Sequence, residues 1–411
     1  MRVLISGYDC RPYGGSEGAN AWYAAREVAL RGHSVVLLTR TSDMDGVRRA
    51  IQEDQILDRT LRAVFLSDRV IGPVGRGQLG VYTRYSAWQR RAAKWMRSHR
   101  SDFDVVHHVS WGSITLPVAA AFSGLPFVLG PIGGGHQLHP DHFQWLDGTP
   151  GRDRFRNAVV RDLIALNPAS RLAARRAGVV LAANEETADL ASRLGALRVL
   201  LMLPEGVRRG MLADAPPSYP AGETIVWIGR FFPLKAAGLA VRAFRSVLVQ
   251  RPDATLTLIG DGPTRQDVMS ASQDLIDEGR VRFLGKLPWD EAQVELGRAR
   301  LHLFSSVRDS SSAQSLEAAA LGVPTVGLDA FGLHSFCARA GFSLVDPFPS
   351  DQLDTRLGTA VSDCLGWDED RWRMESEAAL EFAGENTYNA KAEALESMYR
   401  QVVADLRRRG K

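Results

Sequence analysis

Two cations, two carboxylates and a run of serines stand where this chain could do chemistry. Arg230 follows directly on the apolar run "TIVWIG", and Lys235 comes five residues later, ahead of a helical stretch. Two cations at the end of a buried-type strand suit a diphosphate whose leaving charge must be stabilised. The plainer reading is a pair of surface cations beside a helix. Further on, "LHLFSS" reads as a strand, "VRDSSS" as a loop and "AQSLEAAALG" as a helix closed by Gly322 and Pro324. Ser310, Ser311 and Ser312 are expected to cap that helix at its amino end. Asp309 precedes the serines and Glu317 lies about a turn inside the helix, with seven residues between the two acids. A bound diphosphate sugar would use Asp309 on sugar hydroxyls, helix amides on phosphate and Glu317 on ribose hydroxyls.

A second place of interest is "GYDCRPYGGSEGANAWYAAREVALRGHSVVLLT" near the amino terminus. Gly14 and Gly15 let the backbone approach a ligand closely, and the following helix points free amides at any anion there. A plain strand-to-helix turn would look much the same, and the loop is not GxGxxG. Glu17 reads as a capping acid or as a polar contact to a ligand. In "HQLHPDH", His136, His139 and His142 have a superficial ligand spacing, but Pro140 interrupts it and no acid completes it. No metal is expected.

These residues need elements to hold them. The apolar runs "RVLIS", "SVVLLT", "AVFLS", "DVVHHV", "PFVLG" and "VVLAAN" each precede a helical-looking stretch. A second series follows: "TIVWIG", "ATLTLIG", "VRFLG", "LHLFSS" and "PTVGL". Near-continuous apolar strands alternating with helices indicate parallel sheets covered on both faces, so two doubly wound Rossmann-like domains are expected. The boundaries fall at 1–202 for the first domain, 203–223 for a linker rich in Pro and Gly, and 224–385 for the second, with a terminal helical segment at 386–411. Residues 84–100, "RYSAWQRRAAKWMRSHR", form a basic amphipathic helix. Such a helix ordinarily shows one face to the core and one to solvent; the alternative is peripheral contact with an anionic acceptor or membrane surface.

Composition excludes several classes. The 50 basic and 47 acidic side chains leave +3, which gives no reason to expect nucleic-acid binding. Three scattered cysteines in no CxxC pattern support neither a zinc ribbon nor a disulfide framework and fit a reducing compartment. The apolar stretch at the amino terminus is too short for a signal peptide, so a cytoplasmic protein is expected.

The chain resembles the retaining GT-B glycosyltransferases, the large family-four group that uses nucleotide-sugar donors. The resemblance rests on the order of "GGSE", "RGHSVVLLT", "DVVHHV", "GRFFPLK", "LIGDGP" and "DSSSAQSLEAAALGVPTV" and spans nearly the whole length. It implies two Rossmann-like domains facing a cleft, with a carboxy-terminal helix crossing back to the first. The group's E-x7-E motif falls on Asp309 and Glu317, the first acid being Asp here, and its Gly-Phe-Gly is replaced by Ser310–Ser312. Its diphosphate cations match Arg230 and Lys235, its amino-domain glycine loop matches Gly14 and Gly15, and Gly229 stands just before Arg230. "GDGP", with Gly260, Asp261 and Gly262, matches the segment near the base. Many members carry a His after the strand matching "PFVLG"; "GPIGGG" stands there instead, and His108 at the end of "DVVHHV" is the nearest substitute.

What the resemblance implies is transfer of a hexosyl group, with retained configuration, from a nucleoside diphosphate sugar to an acceptor hydroxyl or amine. UDP is favoured and GDP next, with no cofactor or metal. Arg230, Lys235, Asp309 and His108 would carry the chemistry. The acceptor could be a small molecule, a glycan or lipid-linked. Two other readings stand beside it: an inactive nucleotide-sugar-binding relative, and an NAD-dependent oxidoreductase, against which the missing GxGxxG counts.

Overall fold

The computed structural model describes residues 1–409 except 13, 15, 71–76, 148–156, 158–163 and 338–340. The chain forms two compact units. The first comprises Met1–Gly135, Val160–Gly206 and Tyr388–Lys411; the second comprises His136–Val159 and Val207–Thr387.

The first unit is built on strands β1 (Arg2–Gly7), β2 (Ser34–Arg40), β3 (Leu61–Leu66), β4 (Val105–Ser110), β5 (Phe127–Ile132), β6 (Val179–Ala182) and β7 (Val199–Leu201). All pairs are parallel, in the order β3-β2-β1-β4-β5-β6-β7. Every residue of β4, β5 and β6 is buried, in keeping with their largely apolar sequences. One face packs on Tyr85, Trp88 and Met96 of the helix Gln78–Ser98; the other packs on Leu395, Tyr399 and Val402 of the helix Tyr388–Arg409. That last helix returns from the second unit's chain to the first unit. There Tyr399 Oη lies 2.6 Å from His107 Nδ1, and Tyr388 donates to Asn20 Oδ1 at 2.9 Å.

The second unit repeats the plan with β8 (Thr224–Ile228), β9 (Thr255–Ile259), β10 (Val281–Gly285), β11 (Leu301–Phe304), β12 (Thr325–Leu328) and β13 (Phe342–Val345). Its order is β10-β9-β8-β11-β12-β13, again parallel throughout. Much of the stretch read as a linker belongs to this unit: the Ala213 amide donates to the Ala320 carbonyl at 2.9 Å, and Tyr219 donates to the Trp367 carbonyl at 2.8 Å.

In each sheet the strand order reverses once, between β1 and β4 and between β8 and β11. Connections leave these neighbours towards opposite faces, so a crevice opens beyond their carboxyl ends. The residues singled out from sequence follow these strands. Among the described residues, no helix is long and apolar enough to cross a membrane.

Candidate active site

Strand β8 runs into Gly229, Arg230 and a buried Phe231, whose ring lies 4.9 Å from Trp227. The chain then makes the single turn Pro233–Lys235, with Pro supplying its first position, and enters the helix Ala237–Gln250. Strand β9 runs into Gly260, Asp261 and Gly262, and the two loops zip together. The Gly229 amide donates to Ile259, the Phe231 amide to Asp261 and the Thr264 amide to Phe231, at 3.0–3.1 Å. Gly260 has φ +137°, and a Cβ there would stand 1.8 Å from the Gly229 carbonyl oxygen. Only glycine lets these backbones meet. The Asp261 carboxylate accepts from the neighbouring Gly262 amide at 2.8 Å.

From the other side of the reversal, β11 delivers Ser305 and Ser306. Ser305 Oγ donates to the carbonyls of Lys235 (3.1 Å) and Ala236 (2.9 Å), and Ser306 Oγ donates to that of Leu234 (3.0 Å). The Trp227 indole donates to Ser305 Oγ at 3.0 Å. The turn that bears Lys235 is thus held by the loop that leads to Asp309, and the Lys235 ammonium donates to Asp309 Oδ2. Burial alone would raise the Asp309 carboxyl. The charge and hydrogen bond of Lys235, with His136 and the Ser310 amide, outweigh it and hold the group below the ordinary aspartate value. Arg230 is exposed, with its guanidinium 5.0 Å from the Phe232 ring centroid. Among the described residues it forms no ion pair.

The serine run behaves differently from its expected role. Ser312 occupies the position before the helix Ala313–Ala320, but its backbone is left-handed (φ 57°, ψ 48°) and its side chain makes no capping bond. A capping hydroxyl reaches the first helical amides from an extended backbone, which Ser312 does not have. The loop is braced from outside instead: a Cβ on Gly332 would lie 2.7 Å from Ser311 Cα and 2.8 Å from the Ser310 carbonyl oxygen. Glu317 accepts from Gln293 Nε2 at 3.4 Å.

Backbone strain marks the same place. Among the described residues, the non-glycine residues with positive φ are Ala236, Ser312 and Phe331. They follow β8, β11 and β12, three neighbouring strands. Such conformations cost energy and persist where surrounding structure enforces them, typically around functional sites.

The structure brings Gly229, Arg230, Lys235, Gly260–Gly262, Asp309–Ser312 and Glu317 onto loops and a helix at the carboxyl edge of the second sheet. It does not bring His108 to any surface. That residue is fully buried in β4, 3.4 Å from Ser6 Oγ, and burial pushes its pKa down to about 4. His108 is a neutral core residue and not a substitute for the family His. Gly14 lies in the first unit, its amide donating to the Arg11 carbonyl at 3.0 Å, while Gly15 falls outside the described residues. The Glu17 carboxylate accepts from the Gly112 amide at 2.8 Å, beyond the end of β4.

Sequence reasoning weighed His136 only as a metal ligand and did not place it beside Asp309. It is buried, packs 5.6 Å from the Phe331 ring and acts electrostatically on Asp309. Its sequence signal is its place directly after "GPIGGG". His139 and His142 pack instead on Phe348, at 4.8 and 4.9 Å between ring centroids. Among the described residues, no group of His, Cys, Asp and Glu is arranged to hold a metal ion.

Comparison with known proteins places this geometry. Residues 222–363 match the family described as glycosyl transferases group 1. The chain is 26% identical over 291 residues to the 2-deoxystreptamine glucosyltransferase of Streptomyces kanamyceticus, covering 67% of this chain and 70% of that protein. It is 27% identical over 362 residues to the 2-deoxystreptamine N-acetyl-D-glucosaminyltransferase of Streptomyces fradiae, covering 82% and 80%. The structure of Anabaena HepE in complex with UDP is similar over 97% of this chain and 100% of its own, with a TM-score of 0.63 at 18% identity. These likenesses leave no support for the NAD-dependent alternative. Residues 222–363 are thus similar to the glycosyl transferases group 1, and the two parallel-sheet units are those of the GT-B fold.

Proposed function

We propose that this glycosyltransferase moves a hexosyl group from a nucleoside diphosphate sugar, UDP favoured, to an acceptor hydroxyl or amine with retained anomeric configuration. The observation that carries the reading is the Lys235–Asp309 pair at the β8/β11 reversal, with exposed Arg230 on the adjoining loop. Arg230, Lys235 and the amides of the Ser310–Ser312 loop stabilise the charge that grows on the departing diphosphate. Asp309, kept ionised by Lys235, accepts from sugar hydroxyls, and Glu317 accepts from the ribose. The bond from the anomeric carbon to the phosphate oxygen breaks as the acceptor oxygen or nitrogen bonds on the same face. The departing phosphate oxygen takes the acceptor's proton. His136, beside Asp309, borders the same space. HepE is recorded with UDP and both Streptomyces relatives are named for transfer to 2-deoxystreptamine, so UDP-sugars and amine-bearing acceptors are the first to try.

Calorimetry with UDP, GDP, dTDP, ADP and NAD on wild type and Arg230→Ala tests this. Selective binding of one nucleoside diphosphate, weakened in the variant, is the expected result. Binding of NAD alone contradicts it.

We further propose that the helix Gln78–Ser98 meets an anionic surface. Arg90, Arg91, Lys94 and Arg97 lie exposed along it, Leu79 and Tyr82 are also exposed, and the segment contains no acidic residue. Sedimentation with anionic vesicles should be lost in the Arg90→Glu/Lys94→Glu/Arg97→Glu variant; equal sedimentation of both proteins contradicts the proposal.

A further inference from the structure

Residues 136–147 begin an excursion of the chain into the second unit, set between stretches that build the first. Leu138, Trp145 and Leu146 enter the second unit's core, and the Trp145 indole donates to the Ser350 carbonyl at 2.7 Å. The two ends of this short segment address the two partners of the ion pair. His136 at one end acts on Asp309. Asp147 at the other end reaches the turn that bears Lys235: its amide donates to the Pro233 carbonyl at 3.4 Å. Its carboxylate oxygens lie 3.2 and 3.3 Å from the Gly238 amide and also accept from Ala237.

The helix Ala237–Gln250 has no cap of its own. Ala236 before it is left-handed and has no side chain that could reach the free amides of the first turn. Asp147 supplies the cap from 91 residues away. Gly238 leaves room for it, since a Cβ there would stand 2.5 Å from Asp147 Oδ1.

We propose that Asp147 is a positioning residue for the donor site: its ionised carboxylate fixes the helix start and the Pro233–Lys235 turn, and so holds Lys235 at Asp309. The inference rests on the donor reading above.

The groups facing the carboxylate are the Gly238 and Ala237 amides, the Arg242 guanidinium and the more distant Asp267. Burial raises Asp147 to about 6 against the pull of the amides and Arg242. The sign has two consequences. A raised carboxyl favours the folded state most when protonated, so its contribution to stability is lost as pH rises through about 6. Donor binding should move the opposite way, weakening as pH falls and the cap loses its charge. A merely structural cap would not separate the two.

The test uses Asp147→Asn and Asp147→Ala in the full chain. The first readout needs no ligand: the rate at which an amine-acylating reagent labels Lys235 near pH 8, followed by peptide mass. Asp147→Ala should raise that rate about fivefold, with Asp147→Asn closer to wild type because its amide oxygen still accepts. The second readout is calorimetric binding of UDP-glucose, whose diphosphate diester does not titrate in this range. Wild-type affinity should fall about threefold between pH 8 and 5.5, while Asp147→Asn stays flat. Labelling unchanged in both variants overturns the proposal, as does a wild-type pH dependence in Asp147→Asn. Failure of wild type to bind UDP-glucose at either pH would count against the donor reading, and Lys235 labelling alone would then decide this one.

Discussion

Lys235 and Asp309, 74 residues apart in sequence, meet as an ion pair beyond the ends of the neighbouring strands β8 and β11. The pair explains how a half-buried aspartate stays ionised despite its surroundings. It also means that neither residue is free to be treated alone. Asp309→Asn should destabilise the protein by about 1–3 kcal/mol, because it leaves the ammonium without its charged partner. The Asp309 carboxyl is depressed in the folded state, so its contribution is present above the ordinary aspartate value and disappears as pH falls below it. Urea midpoints for the two proteins should therefore differ at neutral pH and converge in acid. Midpoints equal at pH 7 would show that the pair contributes nothing to stability.

Buried histidines should set the acid limit of the fold. Burial brings His107 and His108 down to about 4 and His302 to about 3. Unfolded histidine binds its proton near 6.5, so each of these groups favours the folded state at neutral pH and loses that contribution as pH falls from about 6.5 through its folded value. For His108 the full effect is about 3 kcal/mol. The thermal midpoint of His108→Gln should fall less between pH 7 and 5 than that of wild type, and kcat should stay within a few-fold. A large loss of kcat in a variant that stays folded would return His108 to the chemistry.

Gly260→Ala should be costly in both stability and donor binding. The new Cβ would stand 1.8 Å from the Gly229 carbonyl oxygen, and the backbone there has φ +137°. The Gly229–Arg230 loop must move to admit it. Donor affinity should fall at least tenfold, on the order of 1.4 kcal/mol, with a lower thermal midpoint. Wild-type donor affinity in this variant would show that the β8 and β9 loops are not coupled.

The fold was legible because strands buried on both faces are mostly apolar. "DVVHHV" and "ATLTLIG" announce β4 and β9 by their Val, Leu and Ile content, and nearly every residue of both strands is buried. The strands not foreseen, β7 and β13, are the short edge strands Val199–Leu201 and Phe342–Val345, which are only partly buried. Arg230 and Lys235 were legible as site candidates because a cation directly after a buried strand has few structural uses. Their partners were not. The Lys235–Asp309 pair, the Ser305 and Ser306 bonds to the Lys235 turn and the Asp147 cap join segments far apart in sequence, and composition carries no trace of them. Ser312 shows the converse limit: the right residue type at a helix start does not cap when its backbone is left-handed. His108 reads as the end of a strand, but β4 runs on to Ser110 and buries it, whereas His136, read only as part of a histidine cluster, lies beside Asp309.

The most direct measurement is turnover of a UDP-sugar by wild type, Arg230→Ala and Lys235→Ala, with the anomeric configuration of the product read by NMR. If these cations stabilise the departing diphosphate, each variant should lose about 10²–10³ in kcat with little change in fold, and the product should keep the donor's configuration. Turnover within threefold of wild type in both variants, or an inverted product, would contradict the account.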